Sequence, residues 1–213
     1  MSEWPQKPES IKFLKEYCDF SDPKWVWILT GISRAKDNAE GYHDILKRFV
    51  LTKPSDIVEC YDRIHQETTV KGTIYRMYIS LNARDAAKCA FKFGQRIFTV
   101  CEGLSSGHND ALVIAKKLGS EWKSELAQSH CRATKRILLD VDAPRVEDFT
   151  EVIKFVGAMP NVRLHTTRRT RGGWHVVFDA CDTRKLMDDC KNAWIPVALQ
   201  RDSMVFVESW ETQ

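Results

Sequence analysis

The sequence has 213 residues, a formal net charge of +3, 43% hydrophobic residues and 29% charged residues. This balance is typical of a folded globular protein and argues against intrinsic disorder. No apolar run approaches the roughly 18 residues that a membrane-spanning helix needs, and the polar N-terminus has no apolar signal-peptide core. We therefore expect a soluble, intracellular protein, located in the cytoplasm and without a membrane partner.

The seven cysteines are widely spaced along the chain, and no pair has the CxxC spacing of a zinc knuckle. An odd number of scattered cysteines in a chain without a signal peptide predicts free thiols, most of them buried. The cysteine pattern therefore indicates neither a disulfide framework nor a zinc knuckle.

Residues 1–128 predict a mixed α/β lobe. Apolar and β-branched runs indicate strands, and apolar residues at helical spacing indicate helices. In chain order the elements are a strand at 25–30 closed by Gly31, a helix from Ser55 or Asp56 to about His65, a strand at 73–81, and helices at 83–101 and 109–127 on either side of a GLSSG loop.

Residues 129–213 predict a more regular unit. Its elements are a strand at 136–142, a helix at 146–159, strands at 162–167 and 174–178, a helix from 182 or 183 to about 191, and a strand at 203–209. This β-α-β-β-α-β order is that of the ferredoxin-like (RRM-like) unit, whose helices cover one face of a four-stranded antiparallel sheet. The predicted fold class is α/β (α+β): this unit, with strand order 4-1-3-2, packed against the N-terminal lobe in one compact two-lobed domain.

Alternation along the strands places four polar residues on one face of this sheet. The apolar residues of the first strand are expected to face the helices, which leaves Asp140 and Asp142 on the open face. The same rule assigns His175 and Glu208 to that face of the third and fourth strands. Because strand 1 lies between strands 3 and 4, we expect the four side chains to lie together.

These residue types suit a divalent cation. Mg²⁺ and Mn²⁺ prefer carboxylate oxygens and bridge them to substrate phosphates, which fits Asp140 and Asp142 with Glu208 as a third ligand. A histidine beside them can bond a phosphate oxygen or act as an acid or base. The structural alternatives are turn chemistry for the two aspartates, a structural role for His175 and a surface position for Glu208.

The segments RILLDVDAP, TRRTRGGWHVVFDA and SMVFVES resemble the three motifs of the archaeo-eukaryotic primase superfamily, the primase-polymerases. Asp142 and His175 are 33 residues apart, as are His175 and Glu208, a spacing similar to that of compact members. The resemblance covers about residues 130 to 210. Glu208 stands where aspartate is usual, and Gly173 stands where many members have serine.

The resemblance implies roles for individual residues. It implies that Asp140, Asp142 and Glu208 are metal ligands and that His175, catalytic with them, contacts the triphosphate of an incoming nucleotide. It also implies a phosphate-binding group near the turn between the second and third strands, made of Arg168, Arg169, Arg171 and Gly173.

The activity implied is that of a Mg²⁺- or Mn²⁺-dependent nucleotidyltransferase that joins nucleoside triphosphates on a DNA or RNA template in replication, as in a phage. A helicase or another replication protein is the expected partner. Three alternatives stay open: an RRM-like nucleic-acid-binding module without catalysis, a metal-dependent nuclease that uses the same acids, and a scaffold or inhibitory protein. Acids on the open face disfavour the binding module, since they repel phosphate unless a cation is bound.

Overall fold

The computed structural model describes residues 7–34, 38, 45–68, 70 and 72–212. These residues form seven α-helices and two antiparallel sheets, a mixed α+β architecture. Within this part of the chain, every helix is too short or too polar to cross a membrane.

The helices are α1 (Lys7–Tyr17), α2 (Asp56–Glu67), α3 (Ala86–Ser105), α4 (Asn109–Ala115), α5 (Leu118–Leu126), α6 (Val146–Gly157) and α7 (Arg184–Asn192), with a 3₁₀ turn at Ser129–Cys131. The strands are β1 (Trp25–Ser33), β2 (Ile45–Leu51), β3 (Ile74–Ser80), β4 (Arg84–Asp85), β5 (Arg136–Val141), β6 (Leu164–Arg169), β7 (Trp174–Asp179), β8 (Val197–Gln200) and β9 (Met204–Glu211).

The larger sheet has the order β2-β1-β3-β9, and β4 pairs with β1. Alternate residues of a strand point to opposite faces, so β1 contributes to two cores. Trp27 and Leu29 pack with α1 and α2 in what we call the central core. Val26 and Ile28 pack with α3, α5 and the 3₁₀ turn in what we call the helical core.

The sequence predicted that the first strand ends at Gly31, and this prediction is wrong. Strand β1 continues through it to Ser33. A Cβ atom at Gly31 would lie 2.6 Å from Cγ2 of Ile64 on α2. The glycine therefore permits close packing of a helix against the strand backbone and is not a chain break.

The helical boundaries after β4 also differ from the prediction. Helix α3 continues through Gly103 to Ser105, into the segment predicted as a loop. The stretch predicted as one helix at 109–127 is divided into α4 and α5. A Cβ atom at Gly103 would lie 3.0 Å from Cβ of Ala111, so this glycine allows α4 to pack closely on α3.

The smaller sheet is formed by β5, β6, β7 and β8 in the order β6-β7-β5-β8, with α6 between β5 and β6 and α7 between β7 and β8. Both helices pack on one face in what we call the C-terminal core. The alternate residues Ile137, Leu139 and Val141 of β5 lie in that core, which confirms the predicted orientation of this strand.

The identity of the fourth strand is a correction. The smaller sheet is completed by β8, four residues that the sequence interpretation missed. The segment predicted for that place, 203–209, largely coincides with β9 (Met204–Glu211), which pairs with β3 of the larger sheet. Its alternating apolar pattern suits an edge of either sheet, so local periodicity carried no information about its partner.

The face of the smaller sheet that lies opposite its helices is not open along its whole length. Leu138 and Val177 on that face belong to the central core. The buried Asn82 joins the two sheets, since its Nδ2 donates to the carbonyls of Arg136 and Arg201 and its Oδ1 accepts from the Arg136 N–H. The two sheets therefore share a core, and part of the predicted open face is covered.

Candidate active-site cleft

A cleft of about 530 Å³ lies between the two sheets, at the end of the face that the shared core leaves uncovered. The smaller sheet and its loops contribute Asp140, Asp142, Arg171, Gly172 and His175, and the larger sheet contributes Arg34, Arg76, Tyr78, Met204 and Phe206. Three of the four residues predicted to form the site thus line the same cleft.

Strand pairing positions the first two of these residues. Asp140 lies directly opposite His175 in the pairing of β5 with β7, and 3.7 Å separates His175 Nε2 from Asp140 Oδ1. Asp142 follows the end of β5, where its backbone N–H donates to the carbonyl of Pro196 at 3.0 Å. The Asp140 side chain is 39% exposed and Asp142 is exposed, so both carboxylates are accessible to a ligand from solvent.

The turn between β6 and β7 packs against Asp142. It is closed by the Thr170 N–H donating to the Gly173 carbonyl at 2.8 Å and by the Gly173 N–H donating to Thr170 Oγ1 at 3.1 Å. A Cβ atom at Gly173 would lie 1.8 Å from the Val141 carbonyl oxygen, and one at Gly172 would lie 3.2 Å from Asp142 Oδ1. Gly173 thus lets two backbone segments meet. It was predicted to bind phosphate, and its N–H is already hydrogen-bonded to Thr170 Oγ1.

His175 is held as a neutral imidazole. Its Nδ1 accepts the backbone N–H of Phe206 at 3.1 Å. Burial, and then the positive charge of Arg34, lower the pKa of His175 to about 4. Because Nδ1 is an acceptor, the single ring proton lies on Nε2, the atom that faces Asp140. The cleft therefore contains a neutral N–H donor beside a carboxylate.

The three arginines predicted to bind phosphate lie in three different environments. Arg171 lines the cleft. Arg168 is on the cleft-side face of β6, but its Nη2 donates to the Val207 carbonyl at 2.5 Å and its guanidinium lies 4.3 Å from the ring centre of Phe13. Burial lowers the pKa of Arg168. Arg169 lies over the ring of Trp174, which packs in the C-terminal core on the other face of the sheet.

Glu208 does not reach the cleft, because β9 contains a bulge. Met77 and Tyr78 of β3 pair with Glu208 and Phe206, which leaves Val207 as an extra residue in β9. One extra residue reverses the alternation of side chains beyond it. Phe206 therefore lines the cleft beside Tyr78, whereas Glu208 points to the opposite face, toward α1 and α2.

The Glu208 carboxylate is the centre of a buried hydrogen-bond network. It accepts from Ser10 Oγ at 2.5 Å and from the Tyr61 hydroxyl at 2.6 Å, and His65 Nε2 lies 2.8 Å away. Burial and the neighbouring Glu208 charge raise the pKa of Tyr61. The network joins α1, α2 and β9. Because the Glu208 oxygens already bond to these three side chains, they are not available to a cation in the cleft.

Two cationic residues of the cleft, Arg34 and Arg76, were not among the predicted site residues. Arg34 follows the end of β1, and its guanidinium lies 5.5 Å from the ring centre of Tyr78. Arg76 is a cleft-facing residue of β3. A charged residue within an otherwise apolar, alternating strand was a usable signal for Arg76. Nothing in the sequence indicated which face of the larger sheet meets the smaller one.

The cleft suits a cation that is coordinated partly by protein side chains and partly by the substrate. Asp140, Asp142 and His175 do not form a group whose ligand atoms all lie within 4.8 Å of one another; in the described ranges that compactness is reached by Glu125, His130 and Cys131. Two accessible carboxylates nevertheless suit Mg²⁺ or Mn²⁺, since Mg²⁺ commonly takes one or two protein carboxylates and completes its shell with water and substrate phosphates.

Comparisons of the chain with protein-family models, with curated proteins and with solved structures give no match. The geometry of the cleft therefore carries the functional inference.

Proposed function

We propose that this protein is a Mg²⁺- or Mn²⁺-dependent nucleotidyltransferase of the primase-polymerase type, whose catalytic unit is RRM-like and consists of β5 to β8 with α6 and α7. The observation that carries the proposal is the shared cleft of Asp140, Asp142 and His175. Guanidinium groups on the facing sheet and on the β6–β7 turn surround these residues. Such a cleft offers carboxylates to a cation and positive charge to a triphosphate.

Each cleft residue has a distinct role in this proposal. Asp140 and Asp142 would hold the cation. When bound, Mg²⁺ or Mn²⁺ would supply the positive charge that phosphoryl transfer from a triphosphate requires. His175 donates its Nε2–H to a phosphate oxygen and remains neutral throughout. Arg76 and Arg171 neutralise the remaining phosphate charge from opposite walls of the cleft.

A basic pocket next to the cleft supports a nucleic-acid substrate. It has a volume of about 560 Å³, and its cationic lining residues are Lys88, Arg132, Lys135, Arg136 and Arg201. The turn between β8 and β9 separates it from the cleft, since Arg201 lines the pocket while Gln200 and Ser203 line the cleft. A cluster of cations attracts a phosphate backbone by releasing its counterions, so we assign this pocket to the template strand.

A nucleic-acid-binding module without catalysis is the second candidate, and the basic pocket is the observation that favours it. The pocket can hold a phosphate backbone without any contribution from the acids. A nuclease is less well supported, because the cleft lining that the structure describes contains arginines and no lysine beside the carboxylates.

The proposal is tested by incorporation of a labelled nucleotide on primed and unprimed templates in the presence of Mg²⁺ or Mn²⁺. The variant is Asp140→Asn with Asp142→Asn, which removes two charges and keeps the side-chain volumes. Asp188→Asn, an exposed acid on α7, is the matched control. We expect cation-dependent product from wild type and the control, and none from the double variant.

Two other results contradict the proposal in different ways. Shortening of the labelled strand that needs the same two aspartates would identify a nuclease. Template binding without product, unchanged in the double variant, would identify the binding module. Product on the unprimed template would further show that the protein can start a strand.

A further inference from the structure

A second group of metal-ligating side chains lies in the helical core, away from the cleft. Glu125 is on α5, and His130 and Cys131 are in the 3₁₀ turn that precedes β5. One ligand atom from each lies within 4.8 Å of the other two, and Glu125 Oε1 is 2.7 Å from His130 Nε2. The carboxylate and the thiol are buried, whereas the imidazole is 43% exposed.

A fourth ligand is within reach. Cys89 on α3 is fully buried and belongs with Cys131 to the helical core, although its thiol lies outside the group of three whose ligand atoms are all within 4.8 Å of one another. Cys131 in turn donates to the Glu125 carbonyl at 3.3 Å. Three separate elements therefore bring two sulfurs, one imidazole nitrogen and one carboxylate oxygen to the same part of the helical core. Zinc binds these atom types in tetrahedral geometry, at about 2.0 to 2.3 Å, and closed sites with four protein ligands are structural.

Two cationic side chains act on the group electrostatically. Zinc bound by two thiolates and a carboxylate has a formal charge of −1. The Arg96 guanidinium lies 3.9 Å from Glu125. The buried Arg84 guanidinium acts electrostatically on Cys131, and its Nε–H has no hydrogen-bond partner among the described residues. Arg84 also pairs with Asp202 and Arg96 with Glu121, each at 2.7 Å, so these two cations offset only part of the residual negative charge.

We propose that Cys89, Glu125, His130 and Cys131 form a structural Zn²⁺ site that fastens α3 and α5 to the turn leading into β5. Each cysteine that coordinates zinc loses its thiol proton to solvent, so that binding releases protons. The site contains two sulfur ligands, whereas the part of the cleft that the structure describes offers carboxylates and an imidazole and no sulfur from a cysteine, so the two sites favour different metals. This proposal is independent of the nucleotidyltransferase activity.

The experiment measures the metal content of the purified chain and the absorption of its Co²⁺-substituted form. We expect an equimolar amount of zinc, with cobalt giving tetrahedral d–d bands and a thiolate charge-transfer band. His130→Ala, which removes an exposed side chain, should fold and bind zinc at least about tenfold more weakly. His108→Ala, also at an exposed histidine, should leave the affinity unchanged. A chelator should lower the melting temperature of wild type and not that of Cys89→Ser with Cys131→Ser.

Three results would overturn the proposal. The first is a wild-type chain with no more zinc than His130→Ala. The second is a cobalt spectrum without a thiolate band. The third is loss of zinc in Asp140→Asn with Asp142→Asn, because it would place the metal in the cleft. If Asp140→Asn with Asp142→Asn loses nucleotide incorporation and retains all of its zinc, the cleft and the zinc site are two separate sites.

Discussion

The protein contains two carboxylate sites that look alike in sequence and differ in structure. Asp140 and Asp142 lie in a cleft, where solvent reaches their oxygens. Glu208 is 4% exposed and is surrounded by Ser10, Tyr61 and His65. A carboxylate whose lone pairs are already used by protein donors has little to offer a cation. Access to solvent, rather than residue type, therefore separates the candidate ligands from a structural acid.

Among the substitutions that test this difference between the two sites, the largest effect is expected at Gly173, in the β6–β7 turn that packs against Asp142. In Gly173→Ala the new methyl group would meet the Val141 carbonyl at 1.8 Å, so the β6–β7 turn must move away from β5. We expect a loss of about 3 kcal/mol in the free energy of unfolding, measured in urea, together with loss of nucleotide incorporation.

Gly94→Ala in α3 is the matched control, since a Cβ atom there meets nothing within 4 Å. It should raise the free energy of unfolding by about 0.5 to 1 kcal/mol. Equal effects of the two substitutions would show that the close approach at Gly173 does not hold the cleft together.

The next effect concerns His175, which stands between the cleft acids and β9. Its pKa is lowered from 6.5 to about 4 in the folded protein, so the unfolded chain takes up a proton first as the pH falls. The contribution of His175 to the free energy of unfolding is therefore fully present above pH 6.5. It is lost as the pH falls from 6.5 toward 4, by about 3 kcal/mol in total.

The measurement is urea unfolding of wild type and of His175→Asn at several pH values. Asparagine keeps an acceptor for the Phe206 N–H and removes the titration. The variant should show a shallower dependence on pH in this window. Parallel curves for the two proteins would mean that His175 titrates normally when folded.

The two carboxylate sites are compared directly by exchanging acid for amide. Glu208→Gln leaves a buried amide facing donors, so we expect it to lower the free energy of unfolding by about 2 kcal/mol. Incorporation per folded molecule should stay within about twofold of wild type, because the residue is outside the cleft. Asp142→Asn should do the opposite, with stability retained and activity lost. If Glu208→Gln keeps stability and abolishes activity, Glu208 is a ligand and the contrast fails.

The smallest effect is expected from removal of a single arginine side chain near the β6–β7 turn. Arg171 lines the cleft, and Arg169 lies over Trp174 on the opposite face. Arg171→Ala should therefore weaken nucleoside triphosphate binding about tenfold, which corresponds to one charged hydrogen bond. Arg169→Ala should leave it unchanged. Titration of a fluorescent nucleotide measures both, and equal losses would place the triphosphate outside the cleft.

Much of the fold followed from local patterns. The strands at Asp140 and His175 and the two helices that cover them were predicted close to their bounds, because apolar residues recur there with clear strand and helix periods. The prediction that these strands put Asp140, Asp142 and His175 together needed only alternation and pairing, and all three line one cleft. The free and mostly buried cysteines were also predicted.

Other features depended on contacts between distant segments. The alternating pattern of β9 was visible, yet its partner is β3, and the bulge at Val207 that turns Glu208 away has no local sequence signal. The environments differ among Arg168, Arg169 and Arg171, because a neighbouring strand and a helix cover different parts of the same sheet. Periodicity reports which side of a strand is apolar. Which other surface covers that side is settled by the packing of the whole chain, since many surfaces satisfy the same local pattern.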